Sequence, residues 1–143
     1  MSAPRASALL LVLLMTAASV LPEAGLHLGY ERGLILEGGQ PWRAVTGQLV
    51  HGTPRLFIAD VLGVALLACL LERRCGGAMR PLGVAFASAL GAGLCTLWLR
   101  PDIRVLEGAS GIASGLLAYL LIDLLVKGSK ETRWLVAAVA IVL

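Results

Sequence analysis

The chain has 143 residues, of which 58% are hydrophobic and 15% are charged, with a formal net charge of +3 and a mean hydropathy of +0.86. Soluble domains carry about 25% charged residues, so this composition argues against a soluble globule or a disordered chain and predicts a single membrane domain over residues 1–143. Basic residues form no cluster longer than two, so nucleic acid is not an expected partner. The three scattered cysteines and two histidines lack a metal-ligand spacing, and we expect neither a metal nor a cofactor.

Five apolar stretches follow one another along the chain: Ala6–Leu21, Thr53–Leu71, Pro81–Leu99, Gly108–Val126 and Trp134–Leu143. The second, third and fourth have 19 residues each, and 19 helical residues extend about 28 Å, close to the ~30 Å of the hydrocarbon core. None of them alternates as a barrel strand does. The pattern predicts an all-α, polytopic transmembrane bundle with four spans and part of a fifth.

The first and last stretches are the shortest. Ala6–Leu21 follows Arg5 and ends in small residues, a pattern that also fits a cleavable signal peptide. Because three more spans follow, we expect this first helix to be retained. Trp134–Leu143 corresponds to only about 15 Å of helix, too little to cross a bilayer, and we expect the chain to be a fragment truncated at its C-terminus.

The distribution of Lys and Arg predicts the orientation of the bundle. A cytoplasmic N-terminus places seven basic residues on the inner side and five on the outer side, where acidic residues accompany them. We therefore expect an integral membrane protein with its N-terminus in the cytoplasm. The connection 23–52 then lies on the outer side, and a connection of this length is expected to have a role of its own. We expect it to lie in the membrane–water interface, with Tyr30 and Trp42 at headgroup depth.

Two acidic residues lie within the predicted spans, where a charge is costly. Asp60 is expected to pair with Arg55 or to reach water, and the functional alternative is a carboxyl group facing a wet cavity. Asp123 precedes Lys127 by four residues, and we interpret the two as a structural pair near the inner surface.

The fourth span opens with the run GASGIASG, residues 108–115. Gly111 and Gly115 form a small-xxx-small pair that lets another helix approach closely. Ser110 and Ser114 lie one turn apart on an adjoining face. Taken alone, the run indicates ordinary helix packing, because a serine becomes a nucleophile only beside a base and oxyanion donors.

The order of these features resembles the rhomboid family of intramembrane serine proteases. The matching residues are Trp42-Arg43 in the first loop, His51 before the second span, and GASG at 108–111 continuing to Tyr119. The short N-terminus and compact first loop are more similar to the bacterial rhombosortase branch than to members with long tails.

The resemblance implies a six-helix bundle in the bacterial inner membrane that cleaves membrane-anchored proteins by acyl transfer. Ser110 is the implied nucleophile, and its base is a histidine on a sixth helix whose small residues pack against Gly111 and Gly115. The family also holds the oxyanion with a histidine and an asparagine on the second helix. The candidates for the oxyanion site or its cavity are Asp60, His51 and Gly108, and Trp42 and Arg43 are candidate loop anchors. The implied partners are membrane lipid and transmembrane protein substrates.

The sequence departs from the family pattern in two respects. Leu56 occupies the position of the second-helix histidine and Asp60 that of the asparagine, and no histidine follows His51. A serine without its base loses most of its reactivity, so we expect this chain, which lacks a sixth helix, to be inactive. The alternatives are a non-catalytic rhomboid-like protein that binds client transmembrane helices and an unrelated small helical membrane protein.

Overall fold

A computed structural model describes residues 6–129 of the chain. Its elements in order are α1 (Ala6–Val20), α2 (Pro22–Leu28), β1 (Tyr30–Glu31), α3 (Arg32–Leu36), α4 (Arg43–Thr46), a 3₁₀ turn (Gly47–Leu49), α5 (Pro54–Cys75), α6 (Met79–Leu99), β2 (Val105–Leu106) and α7 (Ser110–Lys127). The predicted fold class, an all-α transmembrane bundle, is confirmed.

Three helices among the described residues are long and apolar enough to cross a membrane: α5 with 22 residues, α6 with 21 and α7 with 18. They coincide with the second, third and fourth predicted spans. The first predicted span forms α1, whose 15 residues extend about 22 Å, less than the hydrocarbon thickness. A fourth full span therefore stays a prediction, and the fifth stretch, Trp134–Leu143, lies outside the described residues.

Local sequence sets the two ends of α5. The hydroxyl of Thr53 accepts the backbone N–H of Leu56 at 3.3 Å, and Pro54 opens the helix with the backbone angle that its ring imposes. The helix runs past Leu71 because the charged residues that follow are compatible with a helix. It ends at Gly76, which adopts the left-handed conformation with φ of +72°.

The core lies where α7 packs against α5 and α6, with α1 on α5. Its fully buried members include Met15 from α1, Val64 and Ala68 from α5 and Leu116 from α7. Burial of these side chains on several helices fixes the bundle, in which α7 is in contact with both of the other long helices.

The connection 23–52 folds over one end of the bundle, which we call the loop end: α5 and α7 begin there and α6 ends there. Residues Tyr30 and Glu31 pair antiparallel with Leu106 and Val105, which joins this connection to the one between α6 and α7. Two-residue strands are too short for alternation to reveal, so the sequence did not predict them.

The expected position of Tyr30 at the headgroups is wrong. Tyr30 is only 1% exposed and packs in a small cluster with Ile35, Ala44 and Leu97. Trp42, by contrast, is half exposed. The backbone of α4 approaches α6 so closely that Ala44 contacts Gly93, where an added Cβ would overlap the Ala44 carbonyl. Ala44 also belongs to the cluster in which Tyr30 is buried.

Ion pairs and hydrogen bonds connect the helices at the opposite end of the bundle. The predicted pair is confirmed: Lys127 Nζ lies 2.7 Å from an Asp123 carboxylate oxygen. Arg74 of α5 adds a second contact, with Nε 2.8 Å from the other oxygen. The Glu72 carboxylate accepts the N–H groups of Ala6 and Ser7 at the start of α1.

Candidate active site at the start of α7

Ser110 is the first residue of α7, and its side chain is exposed at the loop end. The chain enters the helix through Gly108, whose φ of +96° favours glycine. The N–H of Gly108 donates to the carbonyl of Val50 at 2.9 Å. A Cβ at this position would lie 2.8 Å from Asp60 Oδ2 and 3.2 Å from Leu56, so both backbone conformation and space require glycine directly before the site.

Asp60 reaches the start of α7 from α5. Its Oδ2 accepts the backbone N–H of Ala109 at 2.6 Å and lies 3.2 Å from His51 Nε2. The expected pairing with Arg55 is wrong, because residues five apart in a helix are about 140° apart around its axis. Asp60 therefore faces the bundle, whereas Arg55 is exposed.

The His51 ring is fully buried beside this carboxylate. Its Nδ1 lies 3.0 Å from both the carbonyl oxygen of Leu49 and the hydroxyl of Ser19 in α1. Its Nε2 is within ion-pair distance of Asp60 but lacks the alignment of a hydrogen bond. The ring also meets Phe57 edge-on, with centroids 5.5 Å apart. Both nitrogens thus face partners within the fold.

Gln48 also contacts the start of α7, which the sequence interpretation did not predict. It is 1% exposed, and its side chain bridges two spanning helices. Its Nε2 donates to the carbonyl of Ala89 in α6 at 2.9 Å, and its Oε1 accepts the N–H of Ile112 in α7 at 3.1 Å. One feature of the sequence could have indicated it: Gln48 is an amide in the mostly apolar segment Val45–Val50. If such a segment is buried, its amide must hydrogen-bond to other parts of the fold.

The first turn of α7 has two occupied donors and two open ones. Asp60 binds the N–H of Ala109 and Gln48 binds that of Ile112. Within residues 6–129, neither the N–H of Ser110 nor that of Gly111 has an acceptor, and no side chain hydrogen-bonds to the Ser110 hydroxyl. Open N–H groups at a helix start favour negative charge, so this arrangement can stabilise an anion next to the hydroxyl.

Gly111 and Gly115 lie against α6. A Cβ on Gly111 would be 2.7 Å from the Cβ of Ala92 and 2.5 Å from Gln48 Oε1, and a Cβ on Gly115 would overlap the Ser88 side chain. The resemblance implied that this face packs against the last helix of the family's six-helix bundle, which would follow α7 in the chain. In the described residues the partner is instead α6, the helix of the third predicted span, because its small side chains permit the close approach.

Arg43 and Trp42 lie in the connection over the loop end. The Arg43 guanidinium, 4% exposed, donates to the carbonyls of Gly29 at 2.7 Å and Leu26 at 2.6 Å and to Gln40 Oε1 at 2.6 Å. Trp42 Nε1 donates to the carbonyl of His27 at 3.3 Å. Both side chains therefore connect the end of this loop to its beginning.

A family model described as the rhomboid domain matches residues 38–143, more than half of the chain. The match includes Trp42-Arg43, Gln48, Asp60 and the start of α7. Neither the curated proteins nor the solved structures contain a match.

Proposed function

Because this chain belongs to the rhomboid family, we propose that it carries the nucleophile of an intramembrane serine endopeptidase, with Ser110 in that role. The observation that supports the proposal most directly is the position of Ser110. Its exposed hydroxyl stands at the start of a spanning helix, beside two N–H groups that have no acceptor within residues 6–129.

In the proposed reaction, Ser110 Oγ bonds to the carbonyl carbon of a peptide bond in a membrane-anchored protein and passes its proton to a base. The carbonyl oxygen becomes an oxyanion that accepts the N–H groups of Ser110 and Gly111. The carbon–nitrogen bond then breaks, and the leaving amine takes the proton. Water hydrolyses the resulting ester and releases the serine.

The proton acceptor is the component that residues 6–129 do not place at Ser110. His51 is turned toward Leu49, Ser19 and Asp60. Without a base, acylation should be slow, since loss of a triad member removes most of the rate. We therefore expect this chain to be inactive toward proteins unless a base is supplied.

The same observation favours the second candidate function, a non-catalytic rhomboid-like protein that binds client transmembrane helices. The two candidates differ in one measurable property, the reactivity of the Ser110 hydroxyl. The finer proposals rest on the sequence alone: membership of the rhombosortase branch, location in a bacterial inner membrane, a cytoplasmic N-terminus and membrane-anchored substrates.

The test is labelling of the purified chain in detergent by a fluorophosphonate probe, with and without imidazole as an added base. We expect slow labelling at Ser110 that imidazole accelerates and that Ser110→Ala abolishes. Ser114→Ala is the matched control, because Ser114 is also exposed on α7 but lies beyond the open N–H groups. The Ser114→Ala variant should be labelled at Ser110 as fast as the parent protein. An unlabelled Ser110 in the presence of imidazole would refute the proposal and favour the non-catalytic alternative.

A further inference from the structure

We infer that Gln48 is a positioning residue for Ser110, an inference that rests on the proposed role of that serine. Its carboxamide fixes the first turn of α7 against α6, so that the Ser110 hydroxyl and the open N–H groups of Ser110 and Gly111 face the same side of the helix start.

The contacts of Gln48 require both ends of its amide. The NH₂ group donates to Ala89, and the oxygen accepts from Ile112. All three residues are buried, with exposed fractions of 1% for Gln48, 3% for Ala89 and 2% for Ile112. A carboxylate lacks the donor, and an apolar side chain lacks both functions.

The two contacts differ in what their loss would leave behind. The carbonyl of Ala89 lies inside α6, where the helix itself provides a donor four residues on. The N–H of Ile112 belongs to the first turn of α7, where no helical acceptor exists. Loss of Gln48 would therefore leave one buried donor unsatisfied, and the first turn would have to shift to satisfy it.

Gln48 also confines the residue that follows the nucleophile. Its Oε1 lies 2.5 Å from the position that a Cβ on Gly111 would occupy. Asp60 holds the N–H of Ala109, immediately before Ser110. Ser110 is thus held on both sides in sequence, by Asp60 through residue 109 and by Gln48 through residues 111 and 112.

The test measures the environment of position 110 without requiring catalysis. In the full chain, with Cys69, Cys75 and Cys95 replaced by alanine, Ser110→Cys introduces a thiol at the helix start. Its alkylation rate by iodoacetamide is measured against pH. A helix N-terminus lowers the pKa of a thiol, so the pH profile reports how the open N–H groups face position 110.

We expect Gln48→Met, which keeps the length and most of the volume of the side chain, to raise the pH midpoint of alkylation. The rate at neutral pH should fall about threefold to tenfold, because at a fixed pH below the midpoint the thiolate fraction falls about tenfold for each unit by which the pKa of the thiol rises. Gln40→Met is the matched control: Gln40 accepts a hydrogen bond from Arg43 in the same loop, and within residues 6–129 none of its hydrogen bonds reaches α7. Its profile should equal that of the parent.

An unchanged midpoint in Gln48→Met, or an equal change in Gln40→Met, would overturn the inference. If Gln48→Met does not fold, Gln48→Asn provides the same comparison, because its amide is one methylene shorter and cannot bridge both Ala89 and Ile112. Its midpoint must also exceed that of the parent, and an equal midpoint overturns the inference. Failure of fluorophosphonate labelling would refute the proposed function and leave the thiol profile unaffected, so the two failures are distinguishable.

Discussion

The contact between α7 and α6 at Gly115 allows a quantitative prediction. A methyl group at this position would overlap both Oγ and Cβ of Ser88. Rotation of the hydroxyl can relieve the overlap with Oγ, but only separation of the helices can relieve the overlap with Cβ. Overpacking of this kind costs about 1–3 kcal/mol, whereas replacing a mid-helix glycine by alanine gains about 1 kcal/mol. We expect Gly115→Ala to lower the free energy of unfolding by as much as about 2 kcal/mol.

Gly91→Ala is the matched control for this substitution. Gly91 lies within α6, and an added Cβ there meets no atom within 4 Å. Only the gain in helix propensity applies, so the two variants should differ by about 1–3 kcal/mol. Ser88→Gly removes both overlapping atoms and leaves its Cα 3.6 Å from the new methyl group, so it should rescue Gly115→Ala.

The assay is equilibrium unfolding in mixed micelles, with helical circular dichroism as the signal. The double-mutant cycle of Gly115→Ala and Ser88→Gly isolates the steric contribution from helix propensity and should give a favourable coupling of about 1–3 kcal/mol. If Gly115→Ala is as stable as Gly91→Ala, or if the cycle gives no coupling, the helices are not in contact at this residue and the packing argument fails.

Three further predictions concern polar contacts. Arg43→Lys keeps the charge, but a single ammonium cannot reach three separate acceptors, so the loop between α1 and α5 should lose about 2–3 kcal/mol of local stability and become more susceptible to limited proteolysis; unchanged cleavage would contradict this. Asp60→Ala should lower the free energy of unfolding by about 1–3 kcal/mol, because a helix-start N–H loses its acceptor, and Asp60→Asn, which keeps an acceptor oxygen, should lose less; equal losses would refute the acceptor role. Double-mutant cycles in unfolding experiments should give a coupling energy of about 1–3 kcal/mol between Asp123 and Arg74. The coupling between Asp123 and the more exposed Lys127 should be only about 0.5 kcal/mol, and the reverse order would contradict the geometry.

Local chemistry in the sequence determined the membrane helices. Runs of 19 apolar residues between charged residues and glycines correspond to α5, α6 and α7, because in lipid a span must satisfy its own backbone hydrogen bonds and a helix does so. The contact between Asp123 and Lys127 was also predictable, since residues four apart in a helix are neighbours regardless of the rest of the fold. The resemblance to the rhomboid family rested on motifs of the same local kind, and the family match agrees with it.

Only the tertiary structure decided which side chains meet at the start of α7. Asp60 and Ala109 are 49 residues apart in sequence, and Gln48 and Ile112 are 64 apart. Such pairs follow from how the helices are arranged and from the path of the loop over them, for which a pattern with the period of a helix carries no information. The path of the loop also explains why the sequence did not predict the burial of Tyr30. The arrangement of the helices likewise decides that the glycine face of α7 packs against α6.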